Sequence, residues 1–400
     1  MLSKRMSLLH PYVPGEQPKD RDYIKLNANE NPYPPSPEVT AAVNKFLSES
    51  PEKLGLYPDP DSGDLRAEIA AMINKTGGVL SRTETSFSSD AAERDHGAAS
   101  DPIECASCVP SEKDKIPFTV VPEMIYTGNG SDEVLSFIFF AFFDGDRPLI
   151  IPKFSYSFYP VYCGFYNIPF CPVPLKEDWS VDDKKMVFEA NKMNSGMIFA
   201  NPNAPTGVGL SRSQIRQMLL NAPKDKAFVV DEAYADFGGE SCIPLLSEFN
   251  NLIIVRTFSK SLCGAGMRSG YIVASPEVVR AVTTVKNSLN HFPVDAITQV
   301  ACRAACRSVA YYVNCAKAVV KEREKFTLFL QNHGWKVLPS QTNFVFAKKS
   351  GVSGQEAYRK IKEDGILVRI FSTPGIEDFL RISIGTPAQM LALQRSMEDL

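Results

Sequence analysis

The sequence predicts an α/β protein: a large domain built on a mostly parallel sheet flanked by helices, followed by a smaller α+β domain. Three observations predict it. Short apolar runs without period-two alternation recur between positions 124 and 274, the pattern of strands buried on both faces. Helix-like segments separate several of them. With 400 residues, 44% of them hydrophobic, the chain exceeds the ~250–300 residues at which a single core stops growing.

Residues 1–50 read as an N-terminal arm and part of the smaller domain. The Pro-rich stretch NANENPYPPSPE (27–38) suits neither a regular helix nor a central strand, and is expected to cross between the lobes. The large domain is expected over 51–290. Its strands are MIYT (124–127), PLII (148–151), GMIFA (196–200), KAFVV (226–230), NLIIV (251–255) and GYIVA (270–274). Its helices include SDEVLSFIFFAFF (131–143), SRSQIRQMLLN (211–221) and PEVVRAVTTVKNSL (276–289). The smaller domain, 291–400, begins with a long helical stretch over 295–332 that stops at His333-Gly334. KVLPSQTNFVFAKK, a helix QEAYRKIKEDG, strands ILVRIF and FLRISIG, and a last helix from Pro387 complete it.

Residues 78–115 stand apart, being rich in Ser, Asp, Glu and small side chains, and predict a disordered surface insertion. Its Cys105-x-x-Cys108 pair lacks a second ligand pair and a strand–helix context, so it is read as neither a metal nor a redox site. No metal site is expected elsewhere.

A net charge of −3 offers no general attraction to nucleic acid or to an anionic membrane, which leaves a small molecule as the expected partner. Nine scattered cysteines do not form a disulfide framework. The greasiest run, VLSFIFFAFF (134–143), is far shorter than the ~20 residues of a membrane span, and the first residues lack the apolar core of a signal peptide. A soluble cytoplasmic protein is the expectation.

Four short signals carry chemistry: GNGSDE (128–133), NPNAPTG (201–207), VVDEAYADF (229–237) and TFSKSLCGAGMRSGY (257–271). Each is weak alone. Their order, and their position after predicted parallel strands, is more specific, because ligands bind beyond the carboxyl ends of such strands. Ser131 at a helix start either belongs to a phosphate cradle or simply caps the helix. Asp231 ends a strand and needs a partner; water would serve, and so would a protonated pyridine nitrogen. Lys260 shares a loop of small residues with Thr257, Ser259 and Arg268, surroundings that suit a Schiff-base amine, although most lysines are solvated surface charges.

On these motifs the chain resembles the fold-type I pyridoxal-phosphate aminotransferases of class I/II, and within them the histidinol-phosphate aminotransferases, over nearly its whole length apart from 78–115. The resemblance implies pyridoxal 5′-phosphate as cofactor, carried on Lys260 as the catalytic residue. It implies Asp231 at the ring nitrogen, Tyr234 at the ring hydroxyl and Tyr156 on the ring face. Gly130, Ser131, Asp132, Thr257, Ser259 and Arg268 would surround the phosphate. Tyr57 would reach the phosphate of a neighbouring subunit, implying a homodimer. The family's Asn before the PTG turn is replaced here by Ala204, and Asn203 or Asn201 is expected in its place.

Substrate contacts are expected from Tyr12, Asn29, Arg369 and Arg381, arginine forks being suited to carboxylate and phosphate. The implied reaction converts L-histidinol phosphate and 2-oxoglutarate into imidazole-acetol phosphate and glutamate, within histidine biosynthesis. An aromatic amino-acid aminotransferase and a threonine-phosphate decarboxylase would share the same cofactor residues. A cofactor-binding transcription regulator would need a DNA-binding segment ahead of NANENP, where the sequence leaves too little room for one.

Overall fold

The computed structural model describes residues 2, 6, 9, 11, 12, 15–87, 105–398 and 400. A two-residue strand, β1 (Ile24–Lys25), precedes the Pro-rich stretch, which stays irregular until Pro37 opens helix α1 (Pro37–Glu49). Proline is well placed there, since its fixed φ suits a first helical turn and its missing N–H costs nothing. Helix α2 (Gly63–Thr76) stops at Gly77, which takes the left-handed conformation that ends many helices.

The expected insertion over 78–115 divides differently from the sequence reading. Val79, Leu80, Thr83 and Asp114 are buried, and strands β2 (Glu84–Phe87) and β3 (Cys105–Val109) pair as an antiparallel hairpin. Asp114 accepts from Arg82 and Arg212, both at 2.7 Å, which ties the segment to the body of the protein. The flanks of the Ser/Asp/Glu-rich stretch are therefore part of the fold, held by a buried carboxylate that composition does not reveal. Residues 88–104 lie outside the described residues. Cys105 and Cys108 fall on β3, with Cys108 buried.

The main sheet follows. Its elements are β4 (Ile125–Asn129), α3 (Gly130–Phe142), β5 (Leu149–Pro152), α4 (Tyr159–Tyr166), β6 (Phe170–Val173), α5 (Asp183–Met193), β7 (Met197–Ala200), α6 (Arg212–Asn221), β8 (Phe228–Asp231), β9 (Leu252–Thr257) and β10 (Ser269–Ala274). The strand order is β4-β10-β9-β8-β7-β5-β6. All neighbours pair in parallel except β10, which is antiparallel to both β4 and β9. GYIVA thus departs from the parallel expectation. Only a loop with a short 3-10 turn connects β9 to β10, and a parallel return needs a crossover of a dozen or more residues. β6 escapes the apolar-run reading because it is an edge strand carrying Pro172, with Phe170 exposed.

Both faces of this sheet are dry. Val229, Ile253, Val255 and Ile272 pack with Phe137 and Phe139 of α3, Tyr159 and Tyr162 of α4, and Val279 and Val282 of the next helix, α7 (Pro276–Leu289). The alternate side chains, Phe228, Val230, Leu252, Ile254 and Val273, join the larger core on the opposite face. Full burial of each such aliphatic side chain stabilises by roughly 1.5–3 kcal/mol, which is why the inner positions of β7 and β8, and those of β9 up to Val255, are apolar.

The long helical stretch is two helices, α8 (Ala296–Arg307) and α9 (Val309–Asn332), broken at Ser308. Gly334, at φ +80°, closes α9 as expected. Strands β11 (Trp335–Val337) and β12 (Phe344–Lys349), helix α10 (Gly354–Glu363), strands β13 (Ile366–Leu367) and β14 (Leu380–Ser383), and helix α11 (Pro387–Met397) complete the chain. β11, β12 and β14 form an antiparallel sheet, while β13 pairs with β1 and so returns the N-terminal arm to the C-terminal part. Among the described residues no helix is long and apolar enough to cross a membrane.

Candidate active site

The carboxyl ends of β4, β8 and β9 converge on a cavity of about 380 Å³, lined by Ser131, Asp132, Tyr156, Ala204, Asp231, Tyr234, Thr257, Ser259, Lys260 and Arg268 among others. A second cavity of about 240 Å³ adjoins it and shares Ala28, Tyr156, Ala204, Tyr234 and Lys260. Its far wall holds Tyr12, Asn29, Arg369 and Arg381. Lys260 sits where the two meet. Its amine donates to the Ala28 carbonyl at 3.2 Å and lies 5.7 Å over the Tyr234 ring, while its own carbonyl accepts from Asn31 Nδ2 at 2.9 Å.

At one end of the first cavity the backbone approaches unusually closely. The N-cap of α3 is Asn129, whose side chain makes no capping bond, so Ser131 is not the cap but lies inside the first turn. Gly130 has φ +75°, and a Cβ there would sit 2.7 Å from Arg268 Nη2. A Cβ on Gly270 would sit 2.5 Å from the Ser131 nitrogen. The first-turn N–H groups, the Ser131, Thr257 and Ser259 hydroxyls and the Arg268 guanidinium together form an anion cradle that only glycine at these positions permits. Asp132 is held at its edge by Arg268 (3.3 Å) and by the Tyr156 hydroxyl (2.9 Å).

At the other end, Asp231 is 5% exposed. Tyr159 donates to its Oδ2 at 2.9 Å and the Ala233 N–H to its Oδ1 at 3.1 Å. Burial nevertheless pushes its carboxyl up to about 6, the two donors opposing the shift and the charges of Asp132 and Glu232 adding to it. A carboxylate so placed wants a cationic neighbour. Tyr159 was not foreseen; the aromatic run at the start of α4 was its only sequence signal. Tyr156 sets its ring edge-on to Tyr159 with 5.5 Å between centroids, and Asn29 Nδ2 donates to the Tyr234 hydroxyl at 3.0 Å.

Asn203, expected in the place left by Ala204, is not among the residues that line either cavity. It is fully buried, its Oδ1 accepts from Ser155, and its Nδ2 donates to the Phe154 carbonyl and Thr206. Asn201 is likewise spent on both backbone groups of Leu210. Both asparagines fasten the turn, and Ala204 itself lines both cavities.

The second cavity is basic. Arg381 donates from Nη2 to the Asn27 carbonyl at 3.2 Å, its Nε is buried without a partner, and among the described residues it makes no ion pair. Burial, together with the neighbouring Arg369, lowers its pKa. Two guanidiniums side by side with an unsatisfied donor form a site for an anion. Asn29, at φ +55°, is locked by Ser383 and Tyr234 and acts on this wall through its bond to Tyr234. Tyr57 lines neither cavity; it is 83% exposed and stacks on Phe292 at 4.6 Å. Among the described residues no group of three or more His, Cys, Asp or Glu is placed to hold a metal ion.

Residues 113–396 match the family Aminotransferase class I and II. The histidinol-phosphate aminotransferase of Syntrophus aciditrophicus is 41% identical, covering 100% of this chain and 98% of the relative. That of Chromohalobacter salexigens is also 41% identical, over 98% and 96%. Among solved structures, histidinol-phosphate aminotransferase from Sinorhizobium meliloti in complex with pyridoxal-5′-phosphate superposes with a TM-score of 0.75 at 21% identity, covering 95% and 91%. A Thermus thermophilus aspartate aminotransferase double mutant gives 0.76 at 19% identity, over 100% and 99%. These two likenesses speak for the fold.

Proposed function

The chain belongs to the class I and II aminotransferases, as a pyridoxal 5′-phosphate-dependent transferase of the histidinol-phosphate aminotransferase family, and from that premise we propose that it transfers the amino group of L-histidinol phosphate to 2-oxoglutarate, a step of histidine biosynthesis. The observation that carries this reading is the pair of joined cavities, with the Lys260 amine between an anion cradle and strand-end carboxylate on one side and the partnerless Arg381 donor on the other.

The residues present fit the cofactor: the cradle accepts a phosphate only because Gly130 and Gly270 lack a Cβ, and Asp231 offers a buried carboxylate to a ring nitrogen. When bound, pyridoxal phosphate supplies a carbonyl that takes up an amine and a ring that accepts electrons from the substrate's α-carbon. Lys260 Nζ would hold the cofactor and, once its amine is free, would take the proton from the substrate α-carbon as general base. Ser131, Thr257, Ser259 and Arg268 bind the phosphate, with the backbone N–H groups of the α3 first turn. Asp132 orients Arg268 and Tyr156. Asp231 would keep the ring nitrogen protonated, Tyr156 would cover the ring face, and Tyr234, oriented by Asn29, would reach the ring hydroxyl. With Ala204 where an amide side chain would stand, Tyr234 serves that hydroxyl without help from Asn203.

Arg381 and Arg369, with Tyr12, take the phosphate of the amine in one half-reaction and a carboxylate of glutamate in the other. Both ligands bring negative charge to the wall that holds the two guanidiniums and the unsatisfied Arg381 Nε. A homodimer belongs to the same reading. Leu54, Leu56 and Tyr57 are 52%, 67% and 83% exposed in succession, an apolar run that a second copy would cover while Tyr57 reached the partner's cradle. The reaction is assigned to the cytoplasm, with residues 51–290 as the large cofactor-binding domain and 291–400 as the small C-terminal domain.

A side-by-side assay tests the substrate. Purified protein with 2-oxoglutarate is offered histidinol phosphate, phenylalanine, tyrosine and threonine phosphate. The expected result is a kcat/KM for histidinol phosphate at least about 10-fold above the others, one well-placed charge-assisted contact sufficing for that. Aromatic turnover that rivals it, or CO₂ release from threonine phosphate without amino transfer, would replace this reading.

A further inference from the structure

Behind the cavity, on the other face of the sheet, lies a second set of charged side chains. Successive side chains of a strand point to opposite faces. Asp231 and Thr257 follow Val229 and Val255 toward α3, α4 and α7, whereas Glu232 and Arg256 follow Val230 and Ile254 into the larger core. There Arg256 Nη1 donates to Glu232 Oε2 at 3.0 Å. Its Nη2 donates to Asp236 Oδ1 at 2.9 Å and to the Gly78 carbonyl at 2.8 Å. Asp236 also accepts from the Leu80 N–H at 3.0 Å and, through Oδ2, from the Ser261 hydroxyl. Glu232 accepts from the Ser241 hydroxyl at 2.8 Å and from the Cys242 N–H.

Every member is buried, Ser261 and Glu232 being 1% exposed, Arg256 5% and Asp236 6%. Two carboxylates share one guanidinium out of water, an arrangement that stability alone would not select over an apolar core. Its members adjoin the site in sequence: Glu232 follows Asp231, Arg256 precedes Thr257 and Ser261 follows Lys260. We infer that Glu232, Arg256, Asp236 and Ser261 are positioning residues, a buried network that locks β8, β9 and the lysine loop together so that Asp231, Thr257 and Lys260 meet one cofactor in register. The Ser261–Asp236 bond is the link that reaches the lysine. A shift of about 1 Å at a reacting group can lower a rate a hundredfold, so a bond that fixes the backbone beside the nucleophile matters out of proportion to its own strength.

This role presupposes that Lys260, Asp231 and Thr257 hold the cofactor. Wild-type holoenzyme decides that point first: it must show a visible band of bound cofactor that titrates with pH, and if it does not, the cofactor assignment itself fails. The test of the network compares Ser261→Ala with Ser261→Cys, which keeps the volume but is a weak donor, and with Ser396→Ala. The last removes a part-buried Ser–Asp bond, 2.6 Å from the buried Ser396 to the exposed Asp364, and neither residue lines the cavities. Both Ser261 variants are expected to move the midpoint of the band's pH titration by at least about half a pH unit. Their kcat should fall roughly 10-fold, with KM held within about twofold. Ser396→Ala should keep the wild-type midpoint and kcat. Wild-type behaviour in both Ser261 variants, full recovery in Ser261→Cys, or an equal loss in Ser396→Ala would each overturn the positioning role.

Discussion

Asp231 destabilises the protein without cofactor and stabilises it with cofactor, so Asp231→Asn should reverse the order of stability between the two states. Burial raises the carboxyl from 3.8 to about 6 in spite of the Tyr159 and Ala233 donors. Between those two values the unfolded chain has shed a proton that the folded chain keeps, so the contribution of Asp231 to apoprotein stability falls as pH rises from 3.8 to about 6 and is level above. At about 1.4 kcal/mol per pH unit, the gap amounts to about 3 kcal/mol. Asparagine keeps the shape and cannot ionise. Urea unfolding of apoprotein should therefore show no gain for Asp231→Asn at pH 4 and a gain of roughly 1–3 kcal/mol at pH 7.5, the lower part of that range allowing for an amide that fits the two donors less well. With saturating pyridoxal phosphate the order should reverse, because wild type alone pairs a carboxylate with a protonated ring nitrogen. A difference that is the same at every pH, or an apo variant less stable than wild type at pH 7.5, would refute the claim that this site stores its cost as a desolvated charge.

Three further outcomes are expected. Gly130→Ala places a side chain at φ +75° and a Cβ 2.7 Å from Arg268 Nη2, so fluorescence titration should show cofactor binding at least about 10-fold weaker, the left-handed backbone alone costing roughly 1–2 kcal/mol. Arg381→Ala should lower kcat/KM for the phosphorylated amine by about 10–100-fold, each charge-assisted bond being worth roughly 1.5–3 kcal/mol, while thermal unfolding of the apoprotein stays level or improves because the like charge of Arg369 is relieved. Lys260→Ala and Tyr57→Ala, each nearly inactive alone, should regain turnover when co-refolded, since a mixed dimer has one site with both residues intact; no recovery on mixing would remove Tyr57 from the neighbouring site.

Much of this was legible in the sequence, for identifiable reasons. Strands buried on both faces leave apolar runs, so six of the seven main-sheet strands and the carboxyl-end loops carrying Ser131, Asp231 and Lys260 could be placed from hydrophobicity and turn residues alone. β10 ran the other way because direction is set by the length of its connection, which an apolar run does not show. β6 was passed over since an edge strand with Pro172 does not look apolar. The flanks of the 78–115 segment were misjudged because what orders them is Asp114 between Arg82 and Arg212, partners 32 and 98 residues away. Distance in sequence also hid the commitment of Asn203 to Ser155 and Phe154, and the bond from Tyr159 to Asp231. The Glu232–Arg256–Asp236–Ser261 set was in plain view beside the motif residues, but alternation sends it to the opposite face, and nothing in the motifs tells which of two neighbours faces the ligand.

The central claim is that one lysine out of many holds the cofactor. Reducing the holoenzyme with borohydride fixes the cofactor covalently to the lysine that carries it, and peptide mass mapping then reads the position. The adduct is expected on the peptide containing Lys260, lost in Lys260→Ala, and released before reduction when histidinol phosphate is added. An adduct on another lysine, or none in a preparation that turns over histidinol phosphate, would contradict the assignment.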